Sequence, residues 1–468
     1  MLHATETNHW GFVSGRPGVR AEICLGDSVM RVAMLLAAMM MLTSSFDIFL
    51  VLQAGGNYRL CQLLIPFLFG LAILQGRLGP ILRTLGLRSL IIWLFVQIVF
   101  IPVAEFWPKS LGYCLWLAFD LMLMFSFVQL FSRDDRHIWL LLRVYLWSFA
   151  VLSVFGFVQF LLPLLGFESP FVEQWWIKGH LARVNGFSYE PSYYATYLLL
   201  GFVLAGSLKK SRAWFADAGL IRCTRYLAGT GIILSSSRMG IVFMLLDVLS
   251  HQFGPFVAVS RDLLKLQIAP RRLRALIPGL LISGAITGVT ALFLWILRTD
   301  PMLGLLLLGG TGIANTAGHS VIERESTLGD TFEVFIRHPL IGQSLGGVSS
   351  AIAALHGSVV TSFQDSKLTE GMSVFVEVLA ASGLIGVIPF VVFLVLTIRK
   401  PLKLAGESDP CYAACLRALV RSLVFAWAIL QFNQNLLRPY LWVHLAILAT
   451  VYAAARRRFT QIDRPFPR

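Results

Sequence analysis

The chain has 468 residues, of which 57% are hydrophobic and 14% are charged, and it carries a formal net charge of +14. A soluble protein of this length would have about a quarter charged residues, so the composition excludes an ordinary soluble domain and indicates an integral membrane protein. Most lysines and arginines stand in short loops between apolar runs, which favours membrane orientation over nucleic-acid binding as the reason for the positive charge. No nucleic-acid partner is expected.

Apolar runs recur along the chain, and many reach the roughly 20 residues that a helix needs to cross a bilayer. They predict an all-α polytopic membrane protein with about twelve transmembrane helices. The predicted spans are 33–53, 58–76, 87–105, 110–132, 138–163, 191–208, 214–234, 239–258, 275–297, 372–398, 413–431 and 439–455. They form three blocks, which are 33–163 with spans 1–5, 191–297 with spans 6–9 and 372–455 with spans 10–12.

Basic residues cluster in every second loop, for example at 133–136, 209–212 and 260–274. The positive-inside rule places these loops in the cytoplasm. Both terminal tails, 1–32 and 456–468, then lie on the cytoplasmic side as well.

Span 214–234 is the weakest prediction, because Arg222 and Arg225 lie inside it. The loops before and after this region are basic, so the chain between them must cross the membrane an even number of times. The sequence "SSSR" at 235–238 is therefore predicted to be a tight external turn between two spans.

Two predicted external segments are longer than a tight turn, residues 164–190 and residues 298–371, the second between spans 9 and 10. A loop of the second length is usually functional or has a structure of its own. Within it, residues 325–340 have helical spacing and predict a short amphipathic helix at the membrane interface. The apolar side of this helix carries Leu328, Phe332, Phe335 and Ile336.

The external face keeps several arginines, although the positive-inside rule should deplete that face of them. They are Arg183, Arg238, Arg324, Arg337 and Arg438. Arg183 and Arg238 each precede a helix that runs back into the membrane, beside small or polar residues. Guanidinium groups at helix N-termini suit a diphosphate, because the donors and the helix dipole both favour an anion. The sequence thus predicts a metal-free diphosphate site, with pairing to lipid phosphates or capping of helix ends as the alternative.

Two carboxylates stand at the outer membrane boundary, where Glu190 opens the sixth span and Glu370 the tenth. Each could simply complement the positive end of a helix, which is worth about 0.3–1 kcal/mol. The functional alternative is a general base that accepts a proton from a sugar hydroxyl. Tyr189, Tyr193 and Tyr194 fit an interfacial aromatic belt, and beside Glu190 they could also stack on sugar rings.

Ionisable residues also occur inside predicted spans, namely Asp47, Asp120, Asp247 and Arg143. Such residues can form a proton relay. These four are scattered over separate spans without a shared spacing, so contacts that are satisfied inside the bundle are the preferred interpretation.

Four stretches follow one another in the later part of the chain. They are "RVNGFSYEPSYYATYLLL" (183–200), "LSSSRMGIVFMLL" (234–246), "FIRHPLIGQSLGG" (335–347) and "GMSVFVEVLAASGLIGVIPF" (371–390). In this order they resemble the O-antigen polymerase/ligase superfamily of bacterial envelope proteins, which includes the Wzy-type polymerases and the O-antigen ligases. Each stretch is degenerate alone, whereas their order and topology are fairly specific.

The resemblance implies a GT-C-like membrane fold and an inverting, metal-independent glycosyltransferase without a cofactor. The implied donor is a glycan on undecaprenyl diphosphate at the periplasmic face of the inner membrane. Membrane lipids, a flippase and a chain-length regulator are the other implied partners. Carried onto this chain, the diphosphate-binding residues are Arg183, Arg238 and Arg324, the base is Glu370 or Glu190, and the glycan-binding residues are Tyr189, Tyr193, Tyr194 and Asn185.

Ligases of this superfamily usually carry a His-Asn pair upstream of the Gly-Leu-Ile-Gly ending, where this chain has Met372 and Ser373. This departure favours a polysaccharide polymerase that joins lipid-linked repeat units for exopolysaccharide, O-antigen or capsule. A ligase that transfers the glycan to lipid A core or to protein is the alternative. A lipid-glycan transporter is the third hypothesis, but it should show discontinuous helices and a polar path at the membrane midplane. Here the polar residues gather at one face.

Overall fold

The computed structural model describes residues 17–53, 57–75, 85–211, 218–264, 316–367, 369–371, 373–432 and 436–462, with the single residues 284, 288, 291, 295 and 298. The described structure is mostly helical, at 76% helix. Its α-helices are α1 Pro17–Thr43, α2 Leu60–Leu74, α3 Leu87–Phe100, α4 Trp107–Phe131, α5 Asp135–Leu164, α6 Pro191–Ser211, α7 Ala218–Ser235, α8 Arg238–Leu264, α9 Thr316–Arg337, α10 Val348–Leu355, α11 Val374–Glu407, α12 Pro410–Ile429 and α13 Pro439–Ile462.

Helices α4, α5, α11 and α12 are long and apolar enough to cross a membrane, and shorter apolar segments at 28–43, 60–74 and 87–103 accompany them. This architecture is compatible with the predicted helical membrane protein. Each of α1–α8 and α11–α13 overlaps one predicted span. The predicted span 275–297 lies outside the described residues except at single positions.

Local sequence signals set several helix boundaries. Helix α12 begins where Asp409 accepts a hydrogen bond from the N–H of Cys411 at 2.8 Å, with Pro410 in the first helical position. Asp134 caps α5 in the same way through the N–H of Arg136, at 2.9 Å. In both cases a side-chain oxygen satisfies a donor that the first helical turn leaves unpaired.

Helix α6 is the centre of the bundle, packing on α5, α7, α8 and α12. Its side chains are buried on every side from Tyr194 to Gly206. A helix that is buried all round must be apolar all round, which explains why this segment has so little amphipathic character. Pro191 at its N-terminal end is buried as well, whereas Tyr189 just before the helix is 59% exposed.

Two antiparallel hairpins interrupt the all-α expectation. Strand β1 (Val51–Gln53) pairs with β2 (Asn57–Arg59), and β3 (Gln174–Ile177) pairs with β4 (Leu181–Arg183). The first hairpin replaces the end of the predicted span 33–53 and the start of the predicted span 58–76, whereas the second lies in the predicted external segment 164–190. Each hairpin ends at an arginine, and β2 continues directly into α2.

Helix α1 differs from the prediction at both ends. It begins inside the predicted tail 1–32 and ends at Thr43, before the predicted end of the span at 53. The hydroxyls of Thr43 and Ser44 donate to main-chain carbonyls of the preceding turn at 2.8 and 2.9 Å, and such local bonds compete with helix continuation. Asp47 consequently lies in the connection after α1 rather than within a span.

The weak span 214–234 is confirmed as a helix, since α7 covers 218–235. Arg225 lies 3.5 Å from Asp247 of α8, and Arg421 of α12 contacts the same carboxylate at 2.7 Å. The fully buried Asp247 thus has the satisfied bundle contacts that the sequence predicted, and it neutralises charge that would otherwise disfavour these helices. The predicted turn at 235–238 is also confirmed, because α8 begins at Arg238.

The predicted interfacial helix 325–340 is present as the C-terminal part of the longer helix α9. Leu328, Phe332 and Ile336 form an exposed apolar side, whereas Phe335 packs against the buried core. The helix is thus confirmed and is amphipathic. Its position at a membrane surface stays a prediction.

Helix α11 is interrupted at Gly383, whose φ of 58° lies in the left-handed region. The interruption lets a segment of the preceding loop pair with the helix backbone. The N–H groups of Gln343 and Ser344 donate to the carbonyls of Ala380 and Ala381 at 3.0 and 2.9 Å. The loop segment therefore donates hydrogen bonds to carbonyls that the broken helix leaves without intrahelical partners.

The same pairing continues on the other side of the break, where the N–H of Leu384 donates to the carbonyl of Pro339 at 2.8 Å. A Cβ atom on Gly342 would collide with the main chain of Ala381, and one on Gly383 would collide with the main chain of Leu340. The two stretches 335–347 and 371–390 are therefore packed directly against each other, and glycine is needed at both crossing points.

Replacing either crossing glycine should destabilise the protein. We expect Gly342→Ala and Gly383→Ala each to lower the free energy of unfolding by about 2 kcal/mol or more, because backbone must move or adopt a strained φ. Gly406→Ala in the same helix is the matched control, since a Cβ there meets nothing within 4 Å. Denaturant or thermal unfolding in detergent measures the change, and equal stability of all three variants would contradict the close packing.

Candidate functional site

A cavity of about 480 Å³ lies where the ends of α2, α4, α6, α11 and α13 meet. Its wall is unusually rich in charge for the interior of an apolar bundle. The charged residues that line it are Asp47, Arg59, Glu190, Lys367, Glu370, Glu377 and Arg438. Its aromatic residues are Tyr113, Trp116, Tyr189 and Tyr193. A space of this size with a few convergent polar groups is typical of a small-molecule or substrate site.

Asp47 joins two arginines at one side of the cavity. Its Oδ1 accepts from Nε of Arg59 at 2.8 Å, and its Oδ2 forms an ion pair with Nη1 of Arg438. The N–H of Tyr189 also donates to Oδ2, at 3.4 Å. The side chains of Asp47 and Arg438 are only 6% and 8% exposed, so this is a buried ion pair. It connects the chain after α1, the start of α2, the approach to α6 and the start of α13.

Arg438 makes a second interaction on the cavity wall. Its guanidinium carbon lies 3.9 Å from the ring centroid of Tyr193, in the position of a cation–π contact. Burial alone would lower the pKa of Arg438, but the negative charge of Asp47 outweighs it and the pKa is raised. The arginine therefore stays charged, and it holds the Tyr193 ring against the cavity.

The electrostatics of Asp47 follow from the same contacts. Burial alone would raise the pKa of the Asp47 carboxyl, but the positive charges of Arg438 and Arg59 outweigh burial and hold the pKa below its ordinary value of 3.8. Two guanidinium groups share this one carboxylate. The cluster consequently keeps an excess of positive charge beside the cavity.

Glu370 lies just before α11 and forms the opposite wall of the cavity. Its Oε1 is 2.9 Å from Nζ of Lys109 and accepts the hydroxyl of Tyr113 at 3.1 Å. No residue in the described part of the chain bonds its Oε2. The side chain of Glu370 is 29% exposed, whereas that of Lys109 is 4% exposed. An ammonium group shielded from water stabilises a neighbouring carboxylate strongly.

Glu190 lies at the N-terminal end of the central helix α6, directly before Pro191. Its carbonyl accepts the N–H of Tyr193 at 3.1 Å, and the hydroxyl of Ser192 donates to its Oε2 at 2.9 Å. The carboxylate therefore has the position that complements the positive helix end, as the structural alternative requires. It also lines the cavity, so that role does not remove it from the site.

Four of the sequence-predicted residues line the cavity together, namely Glu190, Glu370, Tyr189 and Tyr193. The two tyrosines reach the cavity from either side of the start of α6. Tyr189 is 59% exposed in the connection before α6, and Tyr193 lies in the first turn of the helix.

Tyr194 and Asn185 do not line the cavity, because their side-chain polar atoms are hydrogen-bonded to main-chain carbonyls elsewhere in the fold. The hydroxyl of the buried Tyr194 donates to the carbonyl of Leu152 at 2.9 Å. The fully buried Asn185 donates through Nδ2 to the carbonyls of Phe171 and Ser188 at 2.9 and 2.7 Å. Both residues therefore organise the connection that carries Glu190, and neither lines the cavity.

Arg183 and Arg238 lie beside the cavity rather than in its wall. Nη1 of Arg183 donates to Oε1 of Gln174 at 2.7 Å, while its Nε is buried and has no partner among the described residues. Burial and the like charge of Arg238 lower the pKa of Arg183, and the carboxylate of Glu190 opposes them. The two arginines are thus neighbours, as their positions before α6 and α8 suggested. Arg324 lies on α9, but its side chain is outside the described residues.

Sequence reasoning missed several contributors to the site, among them Arg59, Lys109, Glu377 and Arg438. Arg59 is the last residue of the first hairpin, and Arg438 was singled out as an external arginine without a role. Lys109 and Glu377 begin predicted spans at the external side, a position where lysine contradicts the positive-inside rule. That contradiction was the one available signal for Lys109. Nothing in the sequence indicated which acids and bases would meet.

No protein-family model matches this chain, and no curated protein matches it significantly. The residues of the cavity and their chemistry are therefore the basis for a function.

Breaking the buried ion pair between Asp47 and Arg438 should destabilise the protein. We expect Asp47→Asn and Arg438→Gln each to lower the free energy of unfolding by about 3–5 kcal/mol, because each leaves a buried group without its partner. Arg337→Gln is the control, since Arg337 and Glu333 form an exposed pair at 3.0 Å, a type worth about 1 kcal/mol or less. Unfolding in detergent at neutral pH provides the measurement, and similar losses in all three variants would argue against a special role of Asp47.

The same pair predicts a response to acid. Because the folded-state pKa of Asp47 is lowered from 3.8, its contribution to stability is complete above that value and is lost as pH falls through the lower folded value. Wild-type protein should therefore lose stability on acidification below roughly pH 4 by a component that Asp47→Asn lacks. Parallel stability curves for the two proteins below that pH would contradict this assignment.

Proposed function

We propose that the chain is a polysaccharide polymerase of the bacterial inner membrane, with both termini cytoplasmic and the cavity open to the periplasm. It joins oligosaccharide repeat units that are linked to undecaprenyl diphosphate. The observation that supports this most is the cavity that Glu190 and Glu370 share, since both carboxylates were singled out as candidate bases and tyrosine and tryptophan side chains line the same wall. The twelve-span GT-C-like arrangement, the flippase and the chain-length regulator belong to the same proposal.

The reaction needs a base, a leaving group and room for two sugars. The acceptor sugar hydroxyl gives its proton to the carboxylate of Glu370, and its oxygen forms a bond to the anomeric carbon of the donor. The bond between that carbon and the diphosphate oxygen breaks on the opposite face, and its electron pair leaves with undecaprenyl diphosphate. Attack opposite the leaving group inverts the anomeric centre, and the proton on Glu370 passes to water.

Glu370 is the better base of the two acids. The ammonium of Lys109 stabilises its carboxylate through Oε1, so Oε2 remains for the acceptor hydroxyl. Glu190 is bonded to Ser192 and lies at a helix N-terminus, where a fixed negative charge is favourable. We assign Glu190 to orienting the sugar hydroxyls, and Tyr189 and Tyr193 to contacting the sugar rings.

The diphosphate is best accommodated by Arg183 and Arg238, as the sequence predicted, with Arg324 as a third candidate. Among the described residues neither Arg183 nor Arg238 has a carboxylate at salt-bridge distance, and Nε of Arg183 is buried without a partner. A diphosphate would supply both the charge and the acceptor. Arg59 and Arg438 already share Asp47, so they are better suited to shaping the cavity. The effect of Glu190 on the pKa of Arg183 indicates that this anion site adjoins the cavity.

The direct test is elongation by the purified protein in lipid nanodiscs. The substrate is the undecaprenyl-diphosphate-linked repeat unit extracted from the membranes of the source cells, and products are sized by gel. We expect a ladder of longer lipid-linked chains without any other acceptor. Transfer that occurs only after lipid A core is added would show a ligase, and movement of the lipid across vesicles without elongation would show a transporter.

Loss of the diphosphate site should abolish the ladder. Arg183→Ala and Arg238→Ala each remove a guanidinium that would hold the leaving group, so we expect a loss of about 10²-fold or more in rate. Arg337→Ala, which removes an exposed external arginine, should elongate normally. Thermal unfolding must show that all three variants are folded. Wild-type rates in Arg183→Ala and Arg238→Ala would exclude this pair as the diphosphate site.

A further inference from the structure

Lys109 has an unusual environment for a lysine near the end of a membrane-length helix. It lies in the first turn of α4, and its side chain is 4% exposed. Its ammonium has three donors and three partners, which are Glu370 Oε1 at 2.9 Å, the carbonyl of Ser366 at 3.0 Å and Oγ of Ser349 at 3.1 Å. The ammonium is thus fully bonded and has a single defined position.

Tyr113 lies one helical turn after Lys109 and contacts the same oxygen of Glu370. Its hydroxyl donates to Oε1 at 3.1 Å, and Nζ of Lys109 lies 5.6 Å from the centroid of its ring. Residues four apart on a helix face the same way, so α4 presents both donors to one carboxylate. Two donors on Oε1 fix the plane of the carboxylate and leave the other oxygen for a ligand.

A purely structural role for Lys109 is the competing explanation. Two of its three partners, Ser349 of α10 and the carbonyl of Ser366, belong to the long external segment, and Lys109 could simply fasten that segment to α4. Tyr113 separates the two explanations, because its hydroxyl donates to Glu370 and not to either of these partners. Ser349 also distinguishes the two explanations, since its hydroxyl contacts Lys109 and the carbonyl of Gly346 but not Glu370.

We propose that Lys109 and Tyr113 are positioning residues that hold the carboxylate of Glu370 in one orientation, with Oε2 presented to the acceptor hydroxyl. The role of Glu370 as base rests on the proposed polymerase, whereas the orientation of its carboxylate does not. Lys109 and Tyr113 act through Glu370 and need not touch the substrate. Removing either should therefore affect the rate of the chemical step more than substrate binding.

Other charged groups also face Glu370, and they belong to several elements. Lys367 precedes it in the chain, Glu377 lies on α11, Glu190 precedes α6 and Arg438 precedes α13. Tyr113 lies within electrostatic reach of Glu370, Glu377 and Arg438. The nearest opposite charge at hydrogen-bond distance in the described residues is Lys109.

The first experiment compares kcat and KM in the elongation assay for four variants. Lys109→Met should lower kcat by about 10²-fold with little change in KM, Lys109→Arg should restore part of it, and Tyr113→Phe should lower it by about tenfold. Ser349→Ala, which loosens only the fastening to α10, should keep the wild-type kcat. Lys109→Met combined with Glu370→Gln should be no slower than Glu370→Gln alone. A loss in Ser349→Ala equal to that in Lys109→Met, with Tyr113→Phe unaffected, would establish fastening instead.

The second experiment needs no substrate. A water-soluble carbodiimide with a glycine ester modifies accessible carboxyl groups, and peptide mass spectrometry quantifies the label on Glu370 at neutral pH. Labelling should be low in wild-type protein and in Ser349→Ala. It should rise in Lys109→Met and Tyr113→Phe, because Oε1 then loses a donor that holds it and the carboxyl group becomes free to react.

The two readouts separate the possible failures. If labelling in Lys109→Met and Tyr113→Phe equals that of wild-type protein, the positioning role is wrong whatever reaction the protein catalyses. If labelling rises as expected but Glu370→Gln elongates at the wild-type rate, the positioning role holds and Glu370 is not the base of a polymerase.

Discussion

The structure depends on one buried ion pair, in which Asp47 is shared by Arg59 and Arg438. These residues come from the first, second and last helical regions of the chain, so the pair closes the bundle around the cavity. A buried carboxylate is unfavourable unless it is paired, and here two guanidinium groups and a backbone N–H satisfy it. The same contacts place Tyr193 beneath Arg438, which links closure of the bundle to the shape of the site.

The opposite side of the cavity is organised by different forces. Helix α11 breaks at Gly383, and main-chain hydrogen bonds join the break to the loop segment 339–344. Serine and glutamine side chains extend this junction, since Ser344 donates to the carbonyl of Gln97 and Gln97 donates to Ser382. The segment that carries Glu370 therefore begins and ends at fixed points. One wall is set by charge and the other by backbone pairing, and the candidate base lies on the second.

The helices could be predicted from the sequence because an apolar run of membrane length leaves a chain few alternatives to a helix. The turn at 235–238 could be predicted because the basic loops before and after it require an even number of membrane crossings between them. The hairpins and the end of α1 could not, since they depend on short-range hydrogen bonds of Thr43, Ser44 and the strand backbones. Glu190 and Glu370 were identified because each opens a predicted span at the outer membrane boundary. The partner of Glu370 was missed because Lys109 and Glu370 are distant in the chain, and periodicity carries no information about such contacts.

The close packing of Gly342 against the break in α11 limits which insertions and deletions the chain can accept. Main-chain hydrogen bonds join residues 339, 340, 343 and 344 to residues 384, 385, 380 and 381, respectively, so a residue inserted within either segment would misalign these bonds and expose main-chain groups. The intervening stretch 356–365 makes its contacts at an exposed surface and is under no such restriction. Variation in length should therefore accumulate between the two crossing glycines while the segments that contain them keep their spacing. The loop between the two glycines can therefore vary in length, although both of its ends are fixed to α11, one by main-chain hydrogen bonds and the other by direct continuation into the helix.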